Sequence, residues 1–98
     1  VRESLAGIIA NIIVHKIVAR HTNRPESSPF LEAEIIEYTG QAKKVAEEFN
    51  WNDEDKAYIE HKSIKQAIEI LGRKYPDVKY TEKEVINAAE EILLEFLE

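Results

Sequence analysis

The chain has 98 residues, a formal net charge of −6, one third charged residues, 44% apolar residues and no cysteine. A chain of this size buries only about two thirds of its unfolded surface, so one core and a single domain over 1–98 are expected. The composition excludes intrinsic disorder, disulfides, a thiol nucleophile and thiolate metal sites, and the acidic balance argues against general binding to nucleic acid or anionic lipid.

The first predicted element covers about residues 4–21. Within it, Leu5 to Val18 (LAGIIANIIVHKIV) is apolar except for Lys16 and for Gly7, Asn11 and His15, which fall four apart. A surface helix keeps a broad polar face, whereas a helix apolar nearly all round must be covered on most sides by protein or lipid. Fourteen helical residues reach about 21 Å, short of the roughly 30 Å hydrocarbon core of a bilayer. A signal peptide fits poorly too, because no small-residue cleavage pattern follows and Glu3 spoils a basic leader. The run is therefore read as part of the fold, and no membrane partner is expected.

Thr22 to Pro29 (TNRPESSP) carries two prolines, two serines and an asparagine, the composition of a loop. Helix two is predicted over 30–49, with Ser28 as N-cap, Pro29 at the first position, and apolar residues at Leu31, Ile35, Tyr38, Ala42, Val45 and Phe49. The short turn at Asn50–Asp53, with Asp53 as the next cap, predicts that helices two and three pack antiparallel. Helix three is predicted over 53–75, with Ala57, Ile64, Ala67, Ile68 and Leu71 as its stripe and a break at Ser63, where Ser63 and Gln66 have capping-box spacing. Pro76 ends it. Helix four is predicted over 81–97, opened by the capping box Thr81–Glu84 and followed by Val85, Ala88, Ala89, Ile92, Leu93 and Phe96. The only candidate strand, Asp77–Tyr80, is too short to found a sheet. The reading is an all-α single domain of about four helices, bundle-like or orthogonal.

Charge alternates along the chain: residues 1–29 carry +2, 30–60 carry −6, 61–76 carry +3 and 77–98 carry −5. Two basic clusters stand out as candidate anion or nucleic-acid contacts: Lys16, Arg20 and Arg24 near the end of helix one, and Lys62, Lys65, Arg73 and Lys74 on helix three. Cations at a helix C-terminus also suit the macrodipole without any ligand. A helix-turn-helix reading of residues 63–95 fails on charge, since its second helix carries mostly acids and would be repelled by phosphates.

Motifs for chemistry are missing. His15, His21 and His61 have no metal-binding partner at helical spacing, and three scattered glycines build no phosphate cradle. Glu47 and Glu48 are followed by Trp51, where the EExxE magnesium motif of all-helical nucleotide pyrophosphohydrolases carries its third acid. Neither a cofactor, a metal nor an enzymatic activity is expected. Phe49, Trp51, Tyr38 and Tyr58 are expected to gather as an aromatic cluster around the second turn.

The functional expectation rests on helix one. Its eight large apolar side chains contribute on the order of 12–24 kcal/mol gross if fully buried, yet three neighbouring helices are expected to cover only part of its circumference. A second copy covers the rest if the chain is a small interaction or oligomerisation module, a homodimer in the cytoplasm, with Gly7, Ile8, Asn11, Ile12, His15 and Val18 at the interface. On that reading Gly7 allows close helix approach, and Asn11 bonds across the seam and sets register. The competing arrangement is a monomer with helix one at the centre and Ser4, Gly7, Asn11 and His15 as its only wet strip. The alternative function is a nucleic-acid-associated accessory domain using the basic residues.

Overall fold

The apolar run at the start of the chain becomes the axis of the molecule. The computed structural model describes residues 2–21 and 28–97; most of the loop predicted over Thr22–Pro29, with Arg24, lies outside the described residues. Four helices follow one another: α1 (Arg2–His21), α2 (Ser28–Glu48), α3 (Asp53–Lys74) and α4 (Glu82–Leu97). The described residues form no strand, and the all-α reading with its four helices holds.

α1 supplies close to half of the buried apolar side chains, from Leu5 through Ile9, Ile12, Ile13 and Ile17 to Val18. α2 and α3 cover it most extensively and α4 closes a third side. Among the described residues α2 and α3 do not pack on each other, because α1 lies between them. The predicted antiparallel pairing of α2 with α3 is therefore corrected. A short turn favours adjacent helices, but five peptide steps from Glu48 to Asp53 span up to about 17 Å, enough to pass the end of the central helix.

Contacts at the helix ends set the directions. Arg2 pairs with Asp55 at 3.3 Å, and the Tyr58 hydroxyl donates to Glu3 at 3.1 Å, so α1 and α3 start together and run parallel. The Arg2 guanidinium also lies 4.2 Å over the Tyr58 ring, a cation–π contact. Desolvation, reinforced by the bond to Glu3, raises the Tyr58 phenol above its ordinary range. His15 meets Glu34 and Tyr38, and His21 meets Glu84, so α2 and α4 run antiparallel to α1.

Each neighbouring helix fits the centre differently. α2 buries only Ala42 and Ala46, with Leu31, Ile35, Tyr38 and Val45 half-buried. α3 buries Ile59, Ser63, Ala67 and Leu71 at strict four-residue spacing. It shows no break at Ser63, whose hydroxyl donates to the Glu60 carbonyl at 3.0 Å; the wall of α1 holds this turn helical over the competing cap signal. Its N-cap is Asn52, one residue before the predicted Asp53. The Asn52 side chain accepts from the Asp55 N–H at 2.7 Å, and Asp55 accepts from the Asn52 N–H at 3.3 Å.

α4 opens with the predicted capping box: Thr81 Oγ1 accepts from the Glu84 N–H at 3.2 Å, and Glu84 accepts from the Thr81 N–H at 3.3 Å. Its buried stripe is Val85, Ala88, Ala89, Ile92, Leu93 and Leu97, with Phe96 only half-buried. The aromatic side chains do not form one cluster. Phe49 and Trp51 meet edge-on at 5.9 Å, and the Trp51 indole donates to the Ala46 carbonyl at 2.9 Å, closing the end of α2. Tyr38 lies eleven residues, roughly 16 Å of helix, from Phe49, and Tyr58 stands on α3 beyond the central helix.

Gly7 is not needed for close helix approach. A Cβ placed there meets only the Gln66 Oε1 at 3.8 Å, an ordinary contact. Gly7→Ala is expected to stabilise the fold by about 0.5–1 kcal/mol through reduced chain entropy. Urea denaturation checks this, and a loss of stability would restore a packing role for the glycine.

Candidate functional site

The strip of α1 singled out from the sequence lies along the gap between α2 and α3, on the side away from α4. Ser4 is exposed, Gly7, Ile8 and Asn11 are half-buried, and Ile12, His15 and Val18 are buried within the one chain. Three helices thus cover α1 almost completely, and the premise that only a second copy could do so is corrected. The reason lies in the neighbours: alanines on α2 and α4 and the four-residue stripe of α3 let three helices wrap far round the axis. Asn11 does not reach across a seam; its Nδ2 donates to the Gly7 carbonyl at 3.0 Å, one turn back.

His15 is the polar group at the centre of this strip and is only 8% exposed. Nδ1 donates to the Asn11 carbonyl at 2.6 Å, Nε2 faces the Glu34 carboxylate, and the ring lies 5.5 Å from that of Tyr38. Both ring nitrogens thus face acceptors. The contact matters because α2 has no fully buried residue from Pro29 to Gln41, so His15 is a main tie between α1 and the first half of α2.

The basic residues do not converge on one patch. Parallel packing brings Arg73 and Lys74 to the same end as Lys16 and Arg20, while Lys62 and Lys65 lie two to three turns away along α3. At that end Glu84 takes His21 Nε2 at 2.7 Å and Arg20 at 3.7 Å, so acid offsets the cations. These bonds hold the Glu84 carboxyl below its usual range. The His21 hydrogen bond is the largest cause, with the Thr81 bond and the charges of His21 and Arg20 adding to it against desolvation. Arg24 lies outside the described residues. Among those described, no three His, Asp or Glu side chains converge to hold a metal ion, and no helix is long and apolar enough to cross a membrane.

A concave surface lies elsewhere, between the first turns of α3 and the last turns of α4. The cleft measures about 440 Å³. Of its lining residues, the buried Leu93 and Leu97 make the floor and the exposed Leu94 and Ala57 the sides. Leu94 is 60% exposed, a large apolar side chain beside an apolar floor. The rim carries Asp53, Glu60 and Glu90 against Lys56. The antiparallel course of α3 and α4 creates this site by setting Asp53–Glu60 alongside Glu90–Leu97. Its one sequence signal is Leu94, which stands about 100° off Leu93 and so widens the apolar arc of α4 beyond what α1 covers. Ala57, read as core, is exposed at the other wall.

Comparison of the chain with protein-family models, with curated proteins and with solved structures finds no match in any of the three.

Two substitutions test the ties that hold this frame. His15→Ala is expected to cost about 2 kcal/mol and to speed amide exchange in α2 before Ala42 while leaving α4 protected; uniform exchange across the molecule would count against a local tie. Glu84→Gln is expected to lower Tm at neutral pH. Because the folded Glu84 value is depressed, its stabilisation is present above the unfolded carboxylate range, near 4.3, and is lost as pH falls through the folded value. The gap in Tm between wild type and variant should therefore close on acidification, and a constant gap down to pH 3 would refute the assignment.

Proposed function

We propose that the chain is a small helical protein–protein interaction module that docks its partner in the α3–α4 cleft. The observation that carries this reading is Leu94, 60% exposed beside the buried Leu93 and Leu97 in a cleft of about 440 Å³. Isolated exposed apolar side chains are ordinary on protein surfaces. One that flanks a concave apolar floor has the form of a site that receives a side chain from outside.

Other exposed apolar side chains lack this setting. Phe30, 77% exposed, Ile36, 72% exposed, and Phe49, 44% exposed, lie on or just after α2, and none of them lines the cleft. Self-association through α1 requires residues that the other helices already cover, so α2 or α3 would have to leave first. Docking in the α3–α4 cleft needs no such opening.

The reading is tested by selecting 16-residue peptides from a random display library on the folded domain. Selected binders are expected to bind Leu94→Asp at least tenfold more weakly while Tm stays within a degree or two of wild type. Binders indifferent to both Leu94→Asp and Ala57→Arg would place the docking surface elsewhere.

A further inference from the structure

Three of the described carboxylates have ion-pair partners, and the others do not. Asp55 pairs with Arg2, Glu34 with His15, and Glu84 with His21 and Arg20. Among the described residues, Asp53, Glu60 and Glu90 have no ion-pair partner, and all three stand on the rim of the α3–α4 cleft. Lys56 is the one cation on that rim, and it lies beyond 4 Å of each carboxylate, since no such pair is formed. An apolar floor edged by unpaired carboxylates attracts a ligand that is apolar in the middle and cationic at its flanks.

The cleft also limits the shape of that ligand. Asp53–Glu60 and Glu90–Leu97 each span eight residues, roughly 10–12 Å of helix. That length matches two turns of an added helix with apolar anchors at i, i+4 and i+7, laid into a groove between two helices. A second copy fits badly: the residues lining the cleft carry Asp53, Glu60 and Glu90 against Lys56 alone, so two such clefts brought face to face would oppose mostly like charges.

Resting on the docking reading above, we infer that the α3–α4 cleft receives a basic amphipathic helix from a partner protein. Its leucine-like side chains contact Leu93, Leu94 and Leu97, and its Lys or Arg side chains pair with Asp53, Glu60 and Glu90. The carboxylates select the partner, and the leucine floor holds it.

The test uses two designed helical peptides with identical leucines at i, i+4 and i+7, one flanked by lysines and the other by glutamates. Each is titrated into the folded protein by fluorescence anisotropy and by amide chemical-shift mapping. The lysine peptide is expected to bind at least tenfold tighter and to shift the Ala57 and Leu94 amides. Its affinity should fall severalfold between 50 and 500 mM salt, and the Glu60→Lys/Glu90→Lys double variant should reverse the preference. Equal affinity of the two peptides for the cleft would overturn the basic-helix assignment while leaving the docking cleft standing. Shifts confined to other surfaces, or binding of neither peptide, would overturn both. Concentration-dependent self-association lost in Leu94→Asp would assign the cleft to a second copy and overturn the inference as well.

Discussion

The fold depends on covering α1. A helix with apolar side chains on most of its circumference leaves no arrangement in which it lies on the surface of a monomer, because each exposed face would cost the transfer of large aliphatic groups to water. With only three other helices available, α1 takes the centre and the others take its sides. That one requirement explains why α2 and α3, neighbours in sequence, stand apart in space. It also explains why a parallel pair, α1 with α3, has packing as extensive as the antiparallel pair α1 with α2.

Giving the centre to one helix weakens the bonds among the others. α2 has only Ala42 and Ala46 fully buried, so its first half is held by half-buried side chains and by the tie of Glu34 and Tyr38 to His15. α3 is secured at its start by Asn52 and Asp55 and by the contacts of Asp55 and Tyr58 with Arg2 and Glu3. α4 is secured at its start by Thr81 and Glu84, with His21 and Arg20 reaching across. The two ends of α4 therefore differ: its beginning is polar and bonded to α1, and its last turns leave Leu94 beside an open cleft. The candidate site lies where the supply of covering surface runs out.

Much of this was legible in the residues, and the parts that were not have a common cause. Helix positions follow from local signals, and capping at Thr81–Glu84 and the stop at Pro76 appear as read. Between its two ends, α1 is left partly uncovered along the wet strip of the central-helix arrangement, with Ser4 exposed and Gly7 and Asn11 half-buried, although His15 at the end of the strip is buried under Glu34 and Tyr38. The break expected at Ser63 does not occur, because packing against α1 outweighs a local capping preference. Charge segregation was visible, but which acids find partners was not. Asp55 and Glu84 are neutralised by side chains more than fifty residues away, whereas Asp53, Glu60 and Glu90 are not.

The all-α class, the four helices within two residues of their ends and the need to enclose the first of them are written in the residues, since periodicity, capping and turn chemistry act over a few residues. Packing in three dimensions settles which helices touch, that three neighbours suffice to enclose α1, and that Leu93, Leu94 and Leu97 line one cleft with Ala57 and the acidic rim. Those outcomes depend on the directions and spacing of helices around a common axis, and contacts between residues far apart in the chain set them.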